Sequence, residues 1–595
     1  MADAVAAADA VDVQPASKKQ KTAAAAADSG AAAAVIRQSL LSGDSRSQLR
    51  QQHDSSGPYT HLVLKELADE QLLRAVREEV IHNISATYKE TDLFKVFQTG
   101  DLANMDALDP ESAAKLPALM ALRGAIYSPE FRQFVEDITG VGDLSDKTDL
   151  SCNVYAQGGH LLNHDDVIGT RAVSFIIYLT DPDEPWTAED GGALELYPLV
   201  EGKPHTPDVI PTTSHLPTWN SMAMFVVQPG RSFHSVQEVL SADKPRLSIS
   251  GWYHKAAPQQ GSEHASLQQL QMKAGEDQIQ QHAEFGGNDT SGPLTDEDLQ
   301  LLRSWVNPAY LKQESWAKIQ GKMEADGSVQ LQKFLLPEVA EQILQAAVAQ
   351  DAAEGVGSGK IPSFTTGYSE DWQAVGPPHK QRYLSYRGQP QQPGTTAAAA
   401  GGLLAAAKAA LFESGAFARL LKAMIDVEIL KHAGEVRRFR AGLDYTVAHY
   451  GIITSEPRLD CVLTFVNDTT PEAADGWAVG EVGGFEAYLL ADEEEEAAGA
   501  AAVYRQDGND SGVINVPAAS NTLNLLMRDA GLMRFVKYVS AAAPGSRWDL
   551  AMEYVPEDDG VDPPMPESPE QPAEAEAAAA NGNGAAPAGE ANGTA

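Results

Sequence analysis

Short apolar runs between turn residues recur through the first half of this chain. The first, residues 172–179 (AVSFIIYL), ends before Asp181 and Pro182 and is too short for a helix of ordinary length. Similar runs follow at residues 191–197, which open with a glycine pair, and at residues 221–227. Because β-branched and aromatic residues bounded by turn residues are typical of strands, the pattern predicts a mainly β structure.

The strand predicted at residues 246–253 has one polar face. Arg246, Ser248 and Ser250 alternate with apolar residues along it, and the two-residue period of a strand places all three on one face. A cation that faces the interior of a protein is costly unless an anion meets it. We therefore expect Arg246 to hold an anionic group, such as the far carboxylate of a dicarboxylate.

Candidate metal ligands lie on the other predicted strands. In a strand, His164 and Asp166 share one face while Asp165 points to the other, and His234 begins a later strand. Two imidazoles and one carboxylate leave three coordination positions open, which is typical of non-haem Fe(II) that binds a co-substrate and dioxygen together. We expect Asp165, and likewise His160, to have structural roles around this site.

These residues carry a family resemblance, together with TDLFK at residues 91–95 and QTGDL at residues 98–102. From about Tyr59 to Tyr554, except for much of the middle, the chain resembles the 2-oxoglutarate and iron-dependent prolyl hydroxylases that modify a decoding-centre protein of the small ribosomal subunit, the termination-and-polyadenylation protein family. The resemblance implies Fe(II), 2-oxoglutarate as co-substrate, dioxygen, and L-ascorbate as reductant. The implied reaction is hydroxylation of a prolyl C-3 position, with a second hydroxyl in some relatives and an effect on translation termination and fidelity.

The resemblance also assigns roles to the candidate residues. His164, Asp166 and His234 would bind the metal, and Arg246 would hold the distal carboxylate of 2-oxoglutarate. Three further side chains are predicted to lie near that co-substrate: Tyr155, Tyr178 and Ser248.

The second half of the chain repeats the first weakly but in the same order. Residues 331–336 echo residues 62–67, and residues 459–466 echo the strand at 172–179. Such a repeat predicts that the second half has a related fold.

The repeat lacks the metal ligands. Laying Ala172 over Asp460 puts Ile452 and Thr454 where the metal-binding histidine and aspartate would be, and Arg534 near the place of the second histidine. No combination of these side chains binds Fe(II). This agrees with the non-catalytic second domain of the family that the chain resembles.

The length of 595 residues exceeds a single core. We expect a mainly β fold with flanking helices, built as two tandem double-stranded β-helix (jelly-roll) domains, the first catalytic and the second without metal ligands. The predicted organisation is a disordered tail at residues 1–35, a catalytic domain at 36–255, an acidic and partly helical connector at 256–327, a non-catalytic domain at 328–555, and a disordered acidic tail rich in proline and alanine at 556–595.

The net charge of −39 limits the kinds of molecule that we expect the protein to bind. It argues against direct binding to a nucleic-acid backbone, which requires clustered lysine and arginine. It favours a basic partner, and a small-subunit ribosomal protein fits that expectation.

Cysteine usage and hydropathy bear on the location of the protein. Only Cys152 and Cys461 occur, so we expect buried thiols in a reducing compartment and no disulfide framework. No stretch is long and apolar enough to cross a membrane, and the N-terminus lacks a secretory apolar region. The basic cluster at residues 18–21 is either a nuclear signal or a solvated patch. The sequence therefore predicts the cytoplasm, the nucleus or both.

Two other functions fit the same sequence. A 2-oxoglutarate oxygenase that acts on a different protein or on a small molecule would have an identical iron site, so only substrate assays separate it from a ribosomal prolyl hydroxylase. A catalytically silent binding scaffold would instead form no succinate in the presence of iron.

Overall fold

The computed structural model describes residues 31–271, 281–285, 290–395, 398–453, 456–490, 514–529 and 531–557. The described residues up to Pro556 belong to one compact unit. No helix among them is long and apolar enough to span a bilayer.

Most of the two predicted tails, including the basic cluster at residues 18–21, lies outside the described residues. A helix already covers Ala31–Val35, and its residues Ala32 and Val35 are buried. Folded chain therefore begins before the predicted boundary at residue 36.

In chain order, the strands are β1 (His61–Lys65), β2 (Thr87–Glu90), β3 (Phe94–Gln98), β4 (Leu144–Tyr155), β5 (His160–His164), β6 (Arg171–Tyr178), β7 (Leu194–Leu196), β8 (Thr213–His215), β9 (Ser221–Val226), β10 (His234–Val236), β11 (Arg246–Lys255), β12 (Ala283–Glu284), β13 (Ser328–Gln332), β14 (Trp372–Val375), β15 (Gln381–Tyr386), β16 (Ile429–Phe439), β17 (Tyr445–Thr446), β18 (Arg458–Phe465), β19 (Glu486–Leu490), β20 (Ile514–Val516), β21 (Thr522–Arg528), β22 (Leu532–Val536) and β23 (Arg547–Pro556).

The α-helices are α1 (Ala31–Val35), α2 (Gln38–Leu41), α3 (Gly43–Asp54), α4 (Glu70–Asn83), α5 (Pro110–Ala113), α6 (Pro117–Tyr127), α7 (Pro129–Thr139), α8 (Ser266–Gln271), α9 (Asp296–Arg303), α10 (Gln313–Asp326), α11 (Pro337–Ala353), α12 (Ala400–Ala407), α13 (Gly415–Ile425) and α14 (Pro471–Ala478). Helices α1 to α7 lie ahead of the long strand β4, and helices α9 to α13 lie ahead of the corresponding strand β16.

Helix α7 shows how the sequence sets such an element. Ser128 caps its N-terminus by accepting a hydrogen bond from the Phe131 backbone N–H, and Gly140 ends it with a left-handed φ of 71°. Phe131, Phe134 and Ile138 follow helical spacing and are fully buried. This apolar face docks the helix onto the first sheet.

The first sheet has eleven strands in the order β1-β9-β6-β11-β4-β3-β5-β10-β7-β8, with β2 added to β3. On β6 and β11, Phe175 and Ile249 face the helices and join their apolar core. The intervening residues, including Ser174 and Arg246, therefore face the other side of the sheet. The polar face predicted for residues 246–253 is confirmed.

The second half repeats this order. Its main sheet runs β13-β21-β18-β23-β16-β15-β14, and a smaller sheet runs β20-β19-β22. The first six strands of the larger sheet follow the same succession as β1-β9-β6-β11-β4-β3. A mostly β fold of antiparallel sheets is thus confirmed, whereas the division into two separate domains stays a prediction.

Strand register shows which residues of the two halves are equivalent. Tyr178 and Thr464 occupy the same place in the two sheets, so Ser174 corresponds to Asp460. The alignment predicted from the sequence matched Asp460 to Ala172 instead, so it was wrong by two residues. A shift of two leaves every side chain on the same face of a strand, so the hydrophobic pattern alone could not reveal the error.

The same comparison locates the counterparts of the metal ligands. Counting on from Tyr445 of β17, which corresponds to His160 of β5, puts His449 and Gly451 at the places of the metal-binding histidine and aspartate. Arg534 stands for the second histidine. The prediction that Ile452 takes the place of the metal-binding histidine is therefore wrong. Thr454, predicted at the place of the aspartate, lies outside the described residues. The prediction that Arg534 takes the place of the second histidine is confirmed. Glycine offers no ligand atom, and a guanidinium repels a cation.

Part of the predicted connector packs into the core of the second half. Leu302 and Trp305, at and just after the end of α9, and Ile319 and Met323 of α10 are buried in the main apolar cluster of that half. The helical prediction holds for these residues.

Candidate active site

His164 and His234 face each other on neighbouring strands. β5 ends at His164, β10 begins at His234, and the two residues pair directly across the antiparallel ladder. Their Nε2 atoms lie 3.4 and 3.5 Å from the two carboxylate oxygens of Asp166. Adjacent ligand atoms of an octahedral metal lie about 3 Å apart when metal–ligand bonds are about 2.1 Å long. These three side chains can therefore close on one metal ion.

Asp166 reaches the two histidines from a turn. The strand stops at His164, and Asp166 has a left-handed backbone with a φ of 63°. The prediction that His164 and Asp166 meet is correct, but the reason given for it, continued strand alternation, is wrong. A non-glycine residue held at positive φ is strained, and such strain is concentrated at functional sites.

Backbone carbonyls fix the tautomers of both histidines. The Nδ1–H of His164 donates to the carbonyl of Leu162, and that of His234 donates to the carbonyl of Ser232, each at 2.8 Å. Since a carbonyl only accepts, Nδ1 carries the proton in both rings. Nε2 is therefore the atom of each ring that can bind a metal, and it points toward Asp166.

The Asp166 carboxylate is held by donors on the adjoining strands. The hydroxyl of Ser174 and the indole N–H of Trp252 donate to Oδ2 at 2.8 and 3.0 Å. Burial alone would raise the pKa of Asp166, but the charges and hydrogen bonds of His234 and His164 outweigh burial and hold the pKa well below its usual value. The group is therefore ionised and oriented.

Arg246 is a buried cation with an unused donor. Its side chain is 1% exposed, and its Nε donates to the carbonyl of Gly192 at 2.7 Å. Its Nη2 has no hydrogen-bond partner in the described part of the chain, and neither do the hydroxyls of Tyr178 and Ser248. Tyr178 and Ser248 are paired across β6 and β11, so these donors lie close together and suit a carboxylate.

The predicted co-substrate residues all lie around this guanidinium. Its carbon is 5.0 Å from the ring centre of Tyr155 and 5.1 Å from that of Tyr178. Burial raises the pKa of the Tyr155 phenol to about 12, so the phenol stays neutral and can donate. The arrangement fits the distal carboxylate of 2-oxoglutarate; that Tyr155, Tyr178 and Ser248 contact it stays a prediction.

Gly192 is required beside Arg246. Its φ is 67°, and a Cβ at this position would lie 2.9 Å from Cδ of Arg246 and 3.1 Å from Cγ2 of Val239. The glycine pair noted in the sequence thus lets a backbone carbonyl approach the arginine.

Asp165 and His160 have the structural roles predicted for them. Asp165 turns away from the metal ligands and accepts hydrogen bonds from the backbone N–H of Gly230 and from the N–H and hydroxyl of Ser266. His160 donates its Nδ1–H to the carbonyl of Gly158. Burial lowers the pKa of His160 to about 3, so the ring is neutral.

Two residues at the site were missed in the sequence. Trp252 donates to Asp166, and the Arg171 guanidinium lies 3.6 Å above the Trp252 ring and 3.8 Å from Asp166 Oδ1. The signal for Trp252 was present, since it continues the two-residue spacing of the polar face that begins at Arg246. Arg171 had no such signal. The pairing of β6 with β11 shifts register between Tyr253 and His254, so the position of Arg171 beside Trp252 does not follow from strand alternation.

The second half also contacts the metal-binding strands, and no local pattern predicted this. The Tyr538 ring packs on His160 at 4.4 Å between centroids, and its hydroxyl donates to Glu238 at 3.1 Å. His379 stacks on Phe233 at 5.3 Å, next to the metal-binding histidine of β10.

Two family models match the chain. The 2OG-Fe(II) oxygenase superfamily model matches residues 150–254, which contain the whole site. The model described as the C-terminal region of the oxoglutarate and iron-dependent oxygenase degradation proteins matches residues 297–562.

Named relatives are similar over most of the chain. The prolyl 3,4-dihydroxylase OGFOD1 of Ostreococcus tauri is 40% identical over 503 residues, which cover 84% of this chain and 95% of that protein. The prolyl 3-hydroxylase OGFOD1 of Xenopus laevis is 28% identical over 516 residues, covering 82% and 84%. The prolyl 3-hydroxylase sudestada1 of Drosophila melanogaster is 27% identical over 506 residues, covering 82% and 81%. The chain therefore belongs to the OGFOD1 family of prolyl hydroxylases, within the Fe(II)- and 2-oxoglutarate-dependent oxygenases.

Proposed function

We propose that this enzyme hydroxylates the C-3 position of a prolyl residue in a decoding-centre protein of the small ribosomal subunit, and thereby affects translation termination and fidelity. The observation that supports an active enzyme most strongly is a complete metal-binding set, His164, Asp166 and His234, in the same sheet as a buried Arg246 with an unused donor. A silent scaffold would have no reason to keep that arginine unpaired.

Each ligand has one task in this proposal. His164 and His234 would bind Fe(II) through Nε2, and Asp166 would bind it through its carboxylate, so that one face of the metal stays open. Ser174 and Trp252 keep the carboxylate in place through their hydrogen bonds to Oδ2.

Arg246 would orient the co-substrate by binding its far carboxylate, with Tyr178 and Ser248 as further donors. When bound, Fe(II) and 2-oxoglutarate supply the oxidising chemistry: one atom of dioxygen ends in succinate as carbon dioxide leaves, and the other becomes the prolyl hydroxyl. The stacked pair of Arg171 and Trp252 lies against the Asp166 carboxylate and helps to hold it in place.

The charge of the chain supports a basic protein as partner. The net charge of −39 would attract a ribosomal protein before it is assembled. Such a substrate is consistent with the cytoplasm, the nucleus or both, as expected from the sequence.

The proposal is tested by intact-peptide mass spectrometry. The protein is incubated with Fe(II), 2-oxoglutarate, L-ascorbate and a peptide from the decoding-centre loop of the small-subunit protein. We expect a mass gain of one or two oxygen atoms that is absent with the His164→Ala protein. Succinate formation without any mass gain would reject the ribosomal substrate and keep the oxygenase; no succinate under any condition would reject the enzyme.

A further inference from the structure

A groove of about 680 Å³ lies between the two halves of the molecule. The first half contributes Tyr88 and Glu90 from β2, and the second half contributes Glu472, Val479 and Glu481 from α14 and the turn that follows it. We call this the acidic groove. None of its lining residues belongs to the metal-binding set.

The acidic groove exposes apolar surface on both walls. Tyr88 is 42% exposed and Val479 is 60% exposed. They are two of the five large apolar side chains that are exposed in the described part of the chain. Exposed apolar side chains that face one groove, with polar groups around them, mark a contact surface for another molecule.

The charge of the groove is negative. Its ionisable lining side chains, apart from a neutral histidine, are Glu90, Glu238, Glu472, Glu481, Lys95 and Lys537. Lys537 is only 3% exposed on its side chain and is paired with Glu90 at 3.1 Å, so these two charges cancel. The remaining charges are three glutamates, of which Glu238 is buried, against Lys95.

The second-half wall carries the free carboxylates. Glu472 and Glu481 are exposed, and neither has an ion-pair partner within the described residues. Residues 459–504 contain no lysine or arginine at all. A cation that reaches Glu472 or Glu481 would therefore not have to displace an internal ion-pair partner.

The groove is connected to the active site by one strand. His160, at the start of β5, lines the groove, and His164, at the end of the same strand, is a predicted metal ligand. Four residues of β-strand span about 13 Å. An extended substrate chain would need at least about four residues to bridge the two places.

We propose that the acidic groove docks a basic segment of the protein substrate, separate in sequence from the proline that enters the active site. The inference rests on the proposed function, because groove and active site then bind one polypeptide. Glu472 and Glu481 would attract lysine and arginine side chains, while Tyr88 and Val479 would pack against their aliphatic parts. The groove would add affinity for the whole protein and leave the chemistry unchanged.

The test compares a long and a short substrate on the full-length enzyme. The double variant Glu472→Gln, Glu481→Gln changes two exposed side chains and should fold normally. Its matched control is Glu297→Gln, Glu324→Gln, which changes two exposed carboxylates outside the groove. Turnover is measured with the intact small-subunit ribosomal protein and with a peptide of about ten residues around the target proline. Binding of the intact protein is measured separately by fluorescence anisotropy on the His164→Ala background, so it does not depend on turnover.

We expect the groove variant to bind the intact protein roughly threefold to tenfold more weakly at low salt, with a higher KM, an unchanged kcat, and unchanged turnover of the short peptide. The difference should shrink at high salt. Val479→Ser should weaken binding of the intact protein in the same way, with a smaller salt dependence.

Equal binding of the intact protein by the groove variant and by its control would overturn the proposal that the acidic groove docks the substrate. An equal loss of turnover on the short peptide would overturn it as well. Groove-dependent binding without hydroxylation of either substrate would instead overturn the proposed function and show the groove to be a docking site for a basic partner other than the substrate.

Discussion

Glu238 and Tyr538 occupy equivalent places in the two halves of the molecule and are hydrogen-bonded to each other. Each lies just beyond the strand that pairs with the glycine-led strand of its half, β10 with β7 and β22 with β19. The Tyr538 hydroxyl donates to Glu238 at 3.1 Å, and Ser540 and the Ala541 backbone donate to the same buried carboxylate. The halves thus meet at the end of the segment that carries His234.

The Tyr538→Phe substitution should loosen this junction. It removes one hydrogen bond to a buried carboxylate and should lower the free energy of unfolding by about 1–2 kcal/mol. Because Tyr538 also packs on His160 of the other metal-binding strand, Fe(II) affinity should fall severalfold. Thermal unfolding and Fe(II) titration measure both effects. Tyr310→Phe, which removes a hydroxyl that donates to the carbonyl of Gln332 in the second half, is the matched control and should leave Fe(II) affinity unchanged.

The Gly192→Ala substitution should impair 2-oxoglutarate binding by displacing Arg246. The new Cβ would lie 2.9 Å from the Arg246 side chain. Gly202→Ala is the matched control, since Gly202 also has a left-handed φ, of 75°, but a Cβ added there would meet no atom within 4 Å. Gly202→Ala therefore introduces the backbone strain of an alanine at positive φ but no clash with a neighbouring side chain. A KM for 2-oxoglutarate raised equally in both variants would show that strain, and not the arginine, is responsible.

The Arg246→Met substitution should raise the 2-oxoglutarate requirement roughly tenfold to a hundredfold, since it removes a charged hydrogen-bond donor from a buried site. Fe(II) binding should be retained because the three metal ligands are untouched. Steady-state turnover at varied 2-oxoglutarate tests this, with Arg303→Met, an exposed position, as the control. An unchanged KM would mean that the carboxylate is held elsewhere.

The second half should be acid-sensitive at Asp549. This side chain is fully buried, and its oxygens accept hydrogen bonds from Arg437 at 2.8 and 3.0 Å and from Arg547 at 2.9 Å. Burial alone would raise the pKa of Asp549, but Arg437 and then Arg547 outweigh it and keep the pKa below its usual value. The stabilisation is therefore complete above the unfolded-state pKa of about 3.9 and is lost as pH falls through the folded-state pKa.

Asp549→Asn should accordingly cost about 3 kcal/mol of unfolding free energy at neutral pH, since Arg437 and Arg547 lose their nearest carboxylate and keep only that of Glu486, at 3.5 and 3.4 Å. Urea unfolding of both proteins from pH 7 down to pH 3 measures the difference. It should be constant above about pH 5 and shrink below about pH 4. A difference independent of pH would mean that the carboxylate charge is not what stabilises the pair.

Local patterns predicted the strands and the polar face of β11 because both depend on a two-residue period. They also brought together His164, Asp166, His234 and Arg246, although the turn at Asp166 was not foreseen. The prediction that Cys152 and Cys461 are buried is confirmed.

Contacts between the halves were not predictable from such patterns. Tyr538 and Glu238 are 300 residues apart, and nothing in either local sequence marks them as partners. The register of the second half was mispredicted for a related reason. A shift of two residues keeps the same hydrophobic face, so Arg534 could be identified as the counterpart of the second histidine only from the strand pairing, and His449 as that of the first only by counting on from the paired residues of β17.

The metal site is tested most directly by anaerobic titration of the protein with Fe(II) and then with 2-oxoglutarate. The quantity measured is the visible charge-transfer absorption, which arises only when the keto acid chelates the bound metal. We predict that the wild-type protein and His82→Ala, whose imidazole is 68% exposed on helix α4, develop the absorption, and that His164→Ala does not. The same absorption at the same Fe(II) concentration in His164→Ala would contradict the assignment of the metal site.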